Sequence, residues 1–125
     1  MRIRPERVAQ TIRREVAELI ENKLRDPRLH AWVSVTDVEV TPDLSVARIF
    51  VSILPEEPER TRVLEILTRA AGFVRHELAP RLGLREVPEI RFLHDSSIER
   101  GARIEEILRK LRDGEPIPGD EPEGS

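Results

Sequence analysis

The chain has no cysteine, no tyrosine, two lysines and only four aromatic rings among its 125 residues. Without cysteine there can be no disulfide staple, iron–sulfur cluster or thiolate zinc site, which suits a reducing compartment. The four rings are Trp32, Phe50, Phe73 and Phe92. Modules that read RNA by stacking bases need several exposed rings. The three phenylalanines sit in apolar runs and are expected in the core, which leaves Trp32 as the one candidate for exposure. No apolar run has the length of a signal peptide or membrane span, so a cytoplasmic location without membrane attachment is expected. Neither a Gly-Lys phosphate loop nor a metal-ligand spacing occurs. No catalysis, metal, cofactor or small-molecule substrate is therefore expected.

Charge is abundant but unevenly placed. The formal net charge is −3, yet five acids and no base fall between Asp113 and Ser125. The remainder holds 21 bases against 19 acids. Within it, Arg2, Arg4, Arg7, Arg13 and Arg14 face Glu6 alone, and Arg69, Arg75, Arg81 and Arg85 face Glu77 alone. Two arginine clusters on a small body form the electrostatic footprint of a phosphate-backbone binder. The plainer alternative is a solvated, salt-bridged surface.

The hydrophobic pattern sets the order of elements. Pro5 opens a stripe of Val8, Ile12, Val16, Leu19, Ile20 and Leu24 at helical spacing, which must stop near Asp26 because Pro27 disfavours helix before it. Trp32 to Val40 alternates, but Val33 and Val35 are out of phase with Val38 and Val40. That phase change predicts a β-bulge near Thr36-Asp37. Thr41-Pro42-Asp43-Leu44 has turn chemistry, and Ser45 to Leu54 alternates again, completing an antiparallel hairpin. From Glu59 a helical pattern runs to Ala71, meets Gly72, and resumes at Phe73, Val74 and Leu78 until Ala79-Pro80. Two helices meeting at Gly72 are expected, the alternative being one helix that tolerates a glycine. A short strand follows over Ile90–His94. Ser96-Ser97-Ile98-Glu99 matches a capping box ahead of a last helix carrying Ile104, Ile107, Leu108 and Leu111. One domain over residues 1–112 and a disordered acidic tail over 113–125 are expected. The predicted class is α+β, a three-stranded sheet with helices on one face.

This order, with two short helices meeting at a small-residue turn, resembles the type II KH domain. The usual GxxG loop is absent, and Ala70-Ala71-Gly72 stands in its place. With Arg7-Val8, Asp26-Pro27-Arg28, Asp43 to Ala47 and Pro88 to Ser97, followed by Gly101 and Ile104, that departure resembles the ribosome-binding factor A family. The resemblance implies a monomeric assembly factor. Its partners would be the small ribosomal subunit and its 16S rRNA, bound during late maturation and pre-rRNA processing, in support of growth in the cold. It also marks Arg69, Ala70, Ala71, Gly72, Arg75, Arg81 and Arg85 as candidate RNA contacts, joined by Arg2, Arg4, Arg7 and Arg14. A KH-like protein–protein adaptor without RNA contact is the alternative. The trio His94-Asp95-Ser96 holds a triad's side chains, but neighbours on a strand point to opposite faces and Ser96 is expected to cap a helix.

Overall fold

The computed structural model describes residues 3–114, without the side chains of residues 98 and 99. Arg2 and most of the acidic tail therefore lie outside the described residues. The element order is α1 (Pro5–Asn22), α2 (Pro27–Trp32), β1 (Val33–Val40), β2 (Val46–Ile53), α3 (Glu59–Leu82), β3 (Glu89–His94) and α4 (Ser97–Asp113). The backbone divides into two compact units, one ending at Asp95 and one beginning at Ser96.

In the first unit the sheet order is β1-β2-β3, with β1 and β2 antiparallel and β2 and β3 parallel. Parallel neighbours need a crossover, and α3 supplies it. Alternation along β2 buries Ala47, Ile49, Val51 and Ile53, flanked in register by Val38 on β1 and by Ile90 and Phe92 on β3. Onto this face pack Val8, Ile12, Val16, Leu19 and Ile20 of α1 with Val63, Leu67, Val74 and Leu78 of α3. Each such side chain contributes about 1.5–3 kcal/mol by leaving water. The register slips between Val35 and Asp37, at the predicted bulge, so Val33 and Val38 can both face inward. The Thr36 hydroxyl at the slip donates to the Asp95 carboxylate at 2.7 Å.

The hairpin turn places Leu44 at φ 62°, a left-handed conformation that costs a side-chain-bearing residue about 1–2 kcal/mol. Asp43 holds the turn by accepting from the Ser45 hydroxyl (2.7 Å), the Thr41 hydroxyl (2.8 Å) and the Ser45 amide (3.1 Å). These bonds, that of the Ser45 hydroxyl foremost, hold its carboxyl below the usual carboxylate range.

Three local expectations are corrected. α1 ends at Asn22, short of the expected stop near Asp26, and the Asp26-Pro27 step starts α2: Asp26 accepts from the Arg28 amide at 2.9 Å, with proline at the first helical position. Aspartate before proline acts here as a start signal, not a stop. Second, α3 runs unbroken from Glu59 through Ala70, Ala71 and Gly72 to Leu82, passing Pro80 and ending where Gly83 turns left-handed at φ 63°. Val63, Leu67, Val74 and Leu78 are spaced by four, seven and four residues, a single helical stripe. The expectation of two helices depends on Phe73 belonging to the core, whereas it is 43% exposed. Third, the capping box does not form. Ser96 sits at the N-cap with φ −92° and ψ 9°, outside the extended geometry that aims a cap side chain at the first turn, and makes no side-chain cap bond. In the second unit, Ile104, Leu108 and Leu111 of α4 are exposed.

Candidate nucleic-acid interface

A groove of about 520 Å³ separates α3 from β3. Thr68, Ala71, Gly72 and Arg75 form its helical wall, and Glu89 to Leu93 form the other. Successive residues of a strand point to opposite faces, yet Ile90 and Phe92 line the groove together with Arg91 and Leu93. Both sets can line it because the groove follows the edge of β3. β3 pairs with β2 on one side, the Glu89 amide donating to the Ser45 carbonyl and the Asp95 amide to the Val51 carbonyl. Backbone groups alternate along a strand, so the polar groups of Ile90 and Phe92 turn the other way, toward the groove.

The helical wall is low. A Cβ added to Gly72 would meet nothing within 4 Å, and Gly72 is not at positive φ. Neither packing nor backbone geometry requires a glycine there, although it costs the helix about 1 kcal/mol relative to alanine. Arg75 directs both Nε (3.1 Å) and Nη2 (2.7 Å) to the Val87 carbonyl. The fork is thus fixed at the groove by a neutral acceptor, a backbone carbonyl. Arg91 pairs with Glu89 at 3.2 Å within the same wall.

The other predicted residues divide. Arg69 is 78% exposed on α3 and only loosely faces Glu65 at 3.8 Å. Ala70 is half-buried, and Arg85 is exposed beyond the end of α3. Arg81 already has a carboxylate partner: its Nη1 lies 2.7 Å from Glu15 of α1, with the two side chains 29% and 18% exposed. Its charge is matched inside the fold, where it ties α1 to α3. Arg4 and Arg7 frame a shallow depression with Ile3, Gln10 and Pro42, and Arg14 is exposed further along α1. The structure therefore gathers Ala71, Gly72 and Arg75 into one groove, but not the whole predicted set. Thr68, Arg91 and Leu93 belong to the groove and were not anticipated. Nothing local marks them, because a strand's place at a sheet edge depends on pairing elsewhere in the chain.

The aromatic rings also depart from expectation. Phe92 is buried, Trp32 and Phe50 are half-buried, and Phe73 is the exposed ring. Among the described residues no cluster of three or more His, Asp or Glu side chains could hold a metal ion. No helix among them is long and apolar enough to cross a membrane.

The sequence model of the family described as Ribosome-binding factor A matches residues 4–108, nearly all of the described chain. The chain belongs to the ribosome-binding factor A family. It is 46% identical over 115 residues to the ribosome-binding factor A of Desulforamulus reducens, covering 92% of this chain and 95% of that one. Among solved structures it is similar to the crystal structure of ribosome-binding factor A from Thermus thermophilus. That match has a TM-score of 0.64 and 30% identity, and covers 74% of this chain and 97% of the Thermus chain. A homology model of the Thermus thermophilus factor, fitted into the cryo-electron microscopy map of its complex with the 30S subunit, matches with a TM-score of 0.57. It is 30% identical and covers 70% of this chain and 91% of that one. The three-stranded α+β architecture is thus the KH-like fold of ribosome-binding factor A.

Proposed function

We propose that this protein binds the small ribosomal subunit through the groove between α3 and β3. In this reading it contacts 16S rRNA there during late maturation and pre-rRNA processing, in the cytoplasm and in support of growth in the cold. The observation that carries the proposal is Gly72. A glycine that the helix does not need, in the wall of a groove beside a fixed cationic fork, allows close approach of a phosphate backbone. The Thermus relative fitted into a 30S complex supplies the partner. Arg75 and Arg69 provide charge at and beside the groove, with Arg4, Arg7 and Arg14 a second cationic surface on α1.

Sedimentation with purified small subunits over a salt series tests the reading. For single-stranded RNA the log–log salt slope is about −0.7 per neutralised phosphate. The double change Arg69→Gln and Arg75→Gln should flatten the slope by roughly 1.4 with the fold intact by circular dichroism. Arg81→Gln should leave the slope unchanged. Equal slopes for the parent and the double variant would remove this cluster and leave the arginines of α1 as the RNA-binding face; a slope that also survives their replacement by glutamine would point to an adaptor that touches only ribosomal proteins.

A further inference from the structure

We propose that Phe73 is a stacking platform for an unpaired rRNA base, placed where a strand leaving the groove crosses α3. The proposal rests on the reading that α3 faces RNA, and extends it to a residue and a mode of contact. With about 100° between residues, Arg62, Arg69, Phe73, His76 and Pro80 recur at intervals of seven, four, three and four and form one exposed stripe. Around the helix, Gly72 falls between this stripe and the groove flank of Ala71, Thr68 and Arg75. Glycine thus leaves a saddle in the ridge of α3, and the first ring beyond the saddle is Phe73, 43% exposed.

The neighbours of that ring suit a nucleotide. Arg69 lies one turn before Phe73, and His76 lies nearly one turn after it, both exposed. Arg62 and Arg69 pair along their own helix, with Glu59 at 2.8 Å and Glu65 at 3.8 Å, and all four side chains are well exposed. An approaching phosphate can exchange for such carboxylates at little cost, because exposed pairs are weak. A base offers a π-face to the phenyl ring whatever its sequence, while its phosphates meet the arginines. An apolar protein partner would gain from Phe73 but nothing from the flanking arginines, which would stay on their own glutamates.

Affinity for small subunits should be measured for Phe73→Ala, Phe73→Leu and Phe73→Tyr, with the fold checked by circular dichroism. Loss of one stacked base lowers affinity roughly tenfold. That loss is expected for both alanine and leucine, while tyrosine, which keeps the ring, should bind as the parent does. A photoreactive phenylalanine analogue at position 73 should crosslink to rRNA. Leucine binding as tightly as phenylalanine, or crosslinks confined to a ribosomal protein, would overturn the proposal. A parent protein that fails to bind small subunits would instead overturn the functional reading beneath it, so the two failures are distinct.

Discussion

Helices α1 and α3 cover the same face of the sheet, yet they are built to different standards. α1 begins on a proline, carries an unbroken apolar stripe of Val8, Ile12, Val16, Leu19 and Ile20, and has no glycine. α3 buries as regular a stripe but carries Gly72 in its middle, Pro80 in its last turn and an exposed phenyl ring. All three features depart from what helix stability favours. Two of them, Gly72 and Phe73, are adjacent, Gly72 in the wall of the groove and Phe73 on the exposed face beyond it. Where a sequence gives up folding free energy without structural return, the return is sought in function. The inner faces of the two helices therefore serve the same purpose, and only the outer face of α3 is specialised.

That contrast can be broken or sharpened, starting with the largest effect. Ile12→Ala in α1 and Leu67→Ala in α3 both remove fully buried side chains. Each should destabilise the protein by about 2–5 kcal/mol in urea denaturation. A much smaller loss at Leu67 would mean that α3 is loosely packed and the inner faces are not alike. Gly72→Ala should raise stability by up to about 1 kcal/mol, since the site is helical and open. The same substitution should weaken binding to small subunits. Stabilisation with unchanged affinity would remove Gly72 from the interface. Arg81→Gln should cost roughly 1 kcal/mol through loss of the half-exposed Glu15 bridge, discounted for screening.

The smallest expected effect is electrostatic. Asp26 is held below its ordinary pKa, chiefly by the Arg28 side chain that bonds it. A depressed carboxylate adds stability that is complete above its unfolded-state pKa and is lost as pH falls through its native value. Asp26→Asn should therefore melt slightly lower than the parent at neutral pH, with the gap closing in acid. A gap independent of pH would indicate lost capping geometry rather than lost charge.

How much of this is legible in the sequence follows from the range of each signal. The bulge can be read from β1 itself, because a change of phase between Val35 and Val38 is a local fact. α2 escapes a reading of Asp26-Pro27 as a stop alone, though aspartate before proline also starts helices. At Gly72 the apparent break runs through Phe73, which belongs to the outer face; the buried stripe passes from Leu67 to Val74 without interruption. The pairing of Arg81 with Glu15, 66 residues away in sequence, is visible only in the fold. The groove itself is invisible in the sequence, because it exists only once β3 lies at the edge beside α3.

The parallel pairing of β3 has a consequence for when the binding surface comes into being. The β1–β2 hairpin closes through a short turn, but Val46 meets Glu89 only after the whole of α3 has crossed over. Distant pairings carry the larger loop-closure entropy and form late. The groove is then among the last features to assemble as the chain folds. A partly folded chain with its hairpin intact does not yet have the groove, so the surface proposed to meet the small subunit is itself a marker of a finished fold. In pulsed hydrogen exchange during refolding, the β1–β2 amides should gain protection before those of Arg91 and Leu93.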